Sequence, residues 1–97
     1  MMHITTRRFW DAYYRLSSDA QVTADKQFEL LKVNLRHPSL QFKKVGNVWS
    51  ARVNLSIRAL AAEDGGDYIW FWIGDHREYE RLIQKLKNEP NRATGAD

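Results

Sequence analysis

Six consecutive large apolar residues, Tyr68 to Ile73 ("YIWFWI"), limit what this chain can fold into more than any other segment. Side chains of a strand alternate between two faces, so a run that is apolar at both parities reads as a strand at the centre of a sheet. Behind it stand Gly74 and Asp75, then Tyr79, Leu82, Ile83 and Leu86 at helical spacing. Asp75 with Glu78 three residues on has the pattern of an N-cap and its reciprocal acid, and Gly74 is expected to supply the sharp turn. A central strand thus hands over to a last helix that runs to about Leu86. Residues 88–97 ("NEPNRATGAD") carry no periodicity and read as a flexible tail, leaving 1–87 as a single domain.

Upstream of this strand the punctuation is that of a meander. "LQFKKV" and "VWSARVNL" flank Gly46-Asn47, a two-residue hairpin signal, and "IRALAA" is a third strand before the turn "EDGGD". Trp49, Ala51, Val53 and Leu55 alternate with Ser50, Arg52 and Asn54, as in a sheet half open to solvent. The N-terminal third is helical. Thr5 or Thr6 caps a helix carrying Phe9, Trp10, Tyr13 and Leu16. Ser18 with Gln21 opens a second helix, striped by Ala20, Ala24, Phe28, Leu31 and Leu35, which ends near Asn34 ahead of Pro38. A short extended piece at His3–Thr5 is possible. The expected fold is α+β: an N-terminal helical hairpin packed on one face of a curved antiparallel sheet of three to four strands, with a C-terminal helix.

Charge is unevenly placed. Leu30 to Ala62 holds no acidic residue but contains Lys32, Arg36, Lys43, Lys44, Arg52 and Arg58, a local +6 against a net +3 for all 97 residues. Such a stretch creates a positive field for a polyanion or an acidic partner, or is simply a solvated basic face. Other chemistry is set aside. There is no cysteine, and His3, His37 and His76 fall on different elements, so neither a metal nor another cofactor is expected. No window approaches the roughly 20 apolar residues of a membrane span, and Met1 to Trp10 has no apolar signal segment, so no membrane partner is expected. The absence of cysteine suits a reducing cytoplasm.

His76 and Tyr79 lie three apart and share a helix face. Tyr79 sits in the apolar stripe, as a core aromatic would. His76 is in the first helical turn, where the positive end of the helix dipole favours neutral imidazole, a form able to accept or donate a proton. An idle surface histidine is the alternative.

In order and spacing, "LLKVNLRHPSLQFKKVGNVWSARVNLSIRALA…YIWFWIGDHREYE" resembles the RelE/ParE superfamily of toxins from type II toxin–antitoxin systems, over about residues 6–83. The resemblance implies a compact sheet backed by a helical hairpin, and a cognate antitoxin as partner. In RelE-like members it further implies a metal-independent endoribonuclease acting on mRNA on the ribosome and so inhibiting translation. There a nucleotide's 2′-hydroxyl attacks the next phosphate and leaves a cyclic phosphate end. Carried over residue by residue, Lys43 and Lys44 of "FKKV" match basic residues near the scissile nucleotide. Arg58 matches the arginine of the tyrosine-arginine-aliphatic strand pattern, with Ile57 in place of the aromatic. Arg52 matches the basic position of the preceding strand. His76 falls where the family often has arginine or histidine, and Tyr79 stands for a tyrosine that stacks on a base. Arg58, His76, Lys43 and Tyr79 are thus the expected catalytic set, with Lys44, Arg52 and Arg36 as RNA contacts. The alternative is a non-catalytic member of the same fold, a ParE-like gyrase inhibitor or a degenerate toxin that only pairs with its antitoxin. Ile57 and the early position of Tyr79 point that way.

Overall fold

The structure, a computed structural model, describes residues 1–87, so the expectation of a flexible tail at 88–97 lies outside it. Its elements in chain order are β1 (His3–Thr5), α1 (Arg7–Tyr13), α2 (Ser18–Val33), a short 3-10 helix (Pro38–Leu40), β2 (Lys43–Val45), β3 (Val48–Arg52), β4 (Ile57–Asp64), β5 (Asp67–Asp75) and α3 (His76–Lys87). The five strands form one sheet in the order β1-β5-β4-β3-β2. Strands β2 to β5 are the expected antiparallel meander. The His3–Thr5 piece adds a fifth strand, parallel to β5, with Ile4 opposite Ile69. So the sheet is mixed, and "YIWFWI" gains a neighbour on both edges.

Helix starts are set by side-chain oxygens. Thr6 Oγ1 accepts from Phe9 N at 3.1 Å and opens α1. Ser17, not Ser18, caps α2 by accepting from Ala20 N at 3.2 Å. Gln21 instead reaches back, its Nε2 donating to the carbonyls of Tyr13 and Leu16, which ties the start of α2 to the end of α1. The hydroxyl of Tyr13 donates to Asp25 Oδ1 at 2.8 Å, and together with burial this pushes the phenol up to about 12. Polar contacts therefore pin the α1–α2 hairpin beside its turn.

The sheet is covered on both faces, where one had been expected. Ala51, Val53, Ala59, Trp70 and Ile73 meet Phe9, Tyr13 and Leu31 around a small apolar cavity of about 60 Å³ on the hairpin side. Trp72 and Leu60, in register across β4 and β5, occupy the other face and are 5% and 0% exposed. Helix α3 packs there, burying Tyr79 and Ile83. A register shift between Leu60 and Ala61 lets Trp70 and Trp72 fall on opposite faces: Ala61 pairs with Trp70 while Leu60 pairs with Trp72, leaving Phe71 as the extra residue. The run of large side chains is thereby split between the two cores.

His3 is half-buried at the edge of the hairpin-side core, its ring stacked on Tyr68 at 5.6 Å. Trp70 Nε1 donates to its Nδ1 at 3.1 Å, so the imidazole proton resides on Nε2, which is buried without a partner. Burial, helped by the N-terminal ammonium and Lys32, holds this imidazole below its usual value. With the folded pKa depressed, the unfolded chain takes up the proton first as pH falls below about 6.5. His3 thus leaves stability intact above that pH and erodes it below, until the folded imidazole itself titrates. Melting temperatures of wild type will fall from pH 7.5 to 5, and those of His3→Gln will fall less; equal slopes would show that His3 is not the coupled group.

Candidate functional site

Strand register and the start of α3 together bring Arg52, Arg58, His76 and Tyr79 to one face of the sheet. Arg52 lies directly opposite Arg58 in the β3–β4 ladder, and Arg58 lies opposite Gly74 in the β4–β5 ladder. Directly paired residues project to the same side, so both guanidinium groups leave the sheet on one face. Tyr79, one turn into α3, meets them there: the Arg58 guanidinium carbon sits 5.4 Å from the centre of its ring. His76 joins through the same ring, stacked on Tyr79 at 5.8 Å and 19°. Its backbone N–H donates to Ser56 O at 2.7 Å, tying the start of α3 to the segment just before β4.

Lys43 is on this face as well, being opposite Ser50, which is opposite Leu60. Two strand spacings and two residues separate its Cα from that of Arg58, about 12 Å. A lysine side chain can span much of that. Lys44 is the next residue along the strand and pairs with Trp49 on the other face. Arg36 lies in the turn between α2 and the 3-10 helix, its backbone N–H held by Asn34 Oδ1. Neither Lys44 nor Arg36 is joined to the cluster by a hydrogen bond or ion pair among the described residues.

The electrostatics of the cluster are one-sided. Like charges directly opposite on a sheet repel, and among the described residues no ion pair engages Arg52 or Arg58. Arg58 Nη1 is buried without a hydrogen-bond partner. The forked guanidinium offers two parallel N–H donors to a phosphate or carboxylate, which is the geometry such a donor fits best. Ser50 on the same face is 0% exposed, and its hydroxyl is also without a partner. Sequence pattern alone missed Ser50, because it was grouped with a solvent-facing side that α3 in fact covers. The usable signal was its place between Lys43 and Arg52 in the alternation.

Gly74 has a different role from the one expected. Its φ is not positive, and it is a paired strand residue rather than a turn. The Trp72 indole lies over it: a Cβ there would stand 2.4 Å from Trp72 Cζ2. Asp75 does cap α3, accepting from Glu78 N at 2.8 Å. The Glu78 carboxylate turns toward Gly74, 3.0 Å from the same Cβ position, rather than closing a capping box. His76 Nε2 lies 3.4 Å from Glu80 Oε2 on its own helix, with its side chain 50% exposed. Among the described residues no three His, Asp or Glu side chains gather in a metal-binding arrangement, and no helix is long and apolar enough to cross a membrane.

No family model matches the chain, and no curated protein matches it in sequence. Solved structures do match in fold. A YoeB/ParE toxin from Agrobacterium tumefaciens superposes with a TM-score of 0.58 at 15% identity, over 78% of this chain and 99% of its own. A copper-bound mutant toxin from Helicobacter pylori gives 0.55 at 11%, over 80% and 97%. A conserved hypothetical protein of the same organism, solved in solution, gives 0.58 at 13%, over 79% and 96%. The chain thus shares its α+β architecture with these solved toxin structures, as the resemblance had implied.

Proposed function

We propose that this chain is the toxin of a type II toxin–antitoxin pair, a ribosome-dependent mRNA endoribonuclease that inhibits translation in the cytoplasm and is restrained by a cognate antitoxin. One observation carries the reading. Arg58 holds a buried donor with no protein partner, beside a second arginine and over an aromatic ring. This arrangement suits a phosphodiester whose charge grows during reaction.

In that chemistry Arg58 and Arg52 hold the non-bridging oxygens. A base, His76 or Lys43, removes the proton of the 2′-hydroxyl. The oxygen attacks the adjacent phosphate, the bond to the 5′-oxygen breaks, and a protonated partner supplies the leaving group's proton. A 2′,3′-cyclic phosphate and a 5′-hydroxyl result. Tyr79 acts here chiefly through Arg58, since it is 7% exposed and lies under the guanidinium.

Adding the protein to a translation extract is expected to arrest synthesis and give discrete mRNA cuts ending in cyclic phosphate, with His76→Ala abolishing the cuts. Tyr79→Phe, which keeps the ring under Arg58, should cleave within a few-fold of wild type, and Tyr79→Leu should lose most activity. A wild-type protein that leaves mRNA intact on ribosomes sinks the enzyme reading.

The non-catalytic reading has one observation in its favour: His76 is turned toward Glu80 on its own helix. Inhibition of gyrase supercoiling without RNA cleavage would select it.

A further inference from the structure

On the flank of α3 away from Arg58 the structure has a second basic feature, built from residues that no motif singled out. A cleft of about 290 Å³ runs between α1 and α3. Arg8 and Arg15 line it from α1 and the turn that follows, Arg81 and Lys85 from α3, with Trp72 at its floor and Glu78 its one acid. Arg8 lies in the first turn of α1 and Arg15 just beyond its C-terminal end, so the pair is spread along one wall; Arg81 and Lys85 are one turn apart on α3, about 6 Å. The two walls therefore present spaced cations to one another. Among the described residues none of the four is in an ion pair. Gathering them leaves an excess of three positive charges around a space that holds, at roughly 30 Å³ per molecule, about ten waters.

We propose that this cleft is a second polyphosphate site, gripping the RNA backbone apart from the residues that meet the scissile phosphate. The choice of polymer rests on the reading of the chain as an RNA-directed toxin. The physical features favour it independently. Three of the four cations are arginines, whose forks match phosphate oxygens. The basic residues are spaced along both walls of the cleft rather than gathered at one point, which suits a chain of successive phosphates. Contacts of this kind add affinity and register without sequence preference. The α3 helix would then separate two phosphate sites, with Tyr79 facing Arg58 and Arg81 facing α1.

The test is binding of a fluorescent oligouridylate to the full chain, without ribosomes, across a salt series. Arg15→Gln/Arg81→Gln is expected to weaken binding several-fold at low salt. It should also flatten the slope of log K against log salt by about 1.4, because each single-strand phosphate that goes unneutralised removes ~0.7. Arg58→Ala should remove its own ~0.7, additively. Coincident thermal melts of wild type and the double variant keep the comparison on binding. An unchanged slope in that variant overturns the cleft, as does a polyglutamate of equal length that binds as well as the oligouridylate and loses affinity in parallel. If mRNA is never cut but the slope still falls, the cleft stands and the enzyme reading is what fails.

Discussion

Under the proposed activity, Arg58→Ala will lower mRNA cleavage by about 100- to 1,000-fold while the protein melts at or slightly above the wild-type temperature. The activity loss is the scale seen when one preorganised donor to a developing oxyanion is removed. The stability result follows from the resting structure. Arg58 buries Nη1 without a partner and faces Arg52 across the ladder. Both features cost free energy in the folded chain, and both vanish with the side chain. Against this, the variant forgoes the guanidinium's packing on Tyr79. Arg58→Lys keeps the charge but not the fork, and should fall between alanine and wild type. Single-turnover cleavage on stalled ribosomes, with a thermal melt of each variant, checks all three outcomes. Cleavage that survives Arg58→Ala within ten-fold would remove this residue from the chemistry.

Gly74→Ala will be the most destabilising single-methyl addition in the described fold. The new Cβ would stand 2.4 Å from Trp72 Cζ2 and 3.0 Å from both Trp72 Cε2 and Glu78 Oε1. Glu78 is exposed and can swing aside. Trp72 is 5% exposed and cannot move without disturbing the α3-side core. Overpacking of this kind costs about 1–3 kcal/mol, and for a domain of this size each kcal/mol lowers the melting temperature by roughly 4–8 °C. Gly74 also pairs with Arg58, so a shifted β5 moves the guanidinium and cleavage should decline with stability. Trp72→Phe in the same chain, by shortening the obstructing ring system, should recover part of the loss. Denaturant or thermal melts of the two single variants and the double variant give the coupling directly.

Periodicity and turn chemistry made most of the fold legible. Gly46-Asn47 located the first hairpin, Asp75 the start of α3, and the doubly apolar "YIWFWI" the inner strand. Three residues of β1 carry too little pattern to be distinguished, because their pairing partner lies across the chain at Tyr68–Trp70. The same non-locality hid the second covered face. Ser50 and Arg52 look solvent-directed when β3 is read alone, and only the packing of α3 shows otherwise. Gly74 misled for a related reason: a glycine at a strand–helix joint suggests a turn, whereas its cause is the indole two residues back. For the site, residue types were readable but proximity was not. Arg52 and Arg58 are joined by ladder register, Tyr79 by the angle at which α3 leaves the sheet, and Lys44 is excluded by strand alternation.

The position of β5 has a consequence for the order in which the protein can form. It is the last strand made and yet an inner strand, carrying β4 on one edge and β1 on the other. While the chain is being synthesised, α1, α2 and the β2–β3–β4 meander can take shape locally, but β1 has nothing to pair with until Tyr68 to Trp70 exist. The loop closed by that pairing spans most of the domain, a contact of high sequence separation that slows folding. Helix α3 is made later still, and Tyr79 with it. A growing chain therefore displays Arg52 and Arg58 on an uncovered sheet before the ring that lies under Arg58 arrives. Competence to grip an anion in the finished geometry is reached only once α3 has been made.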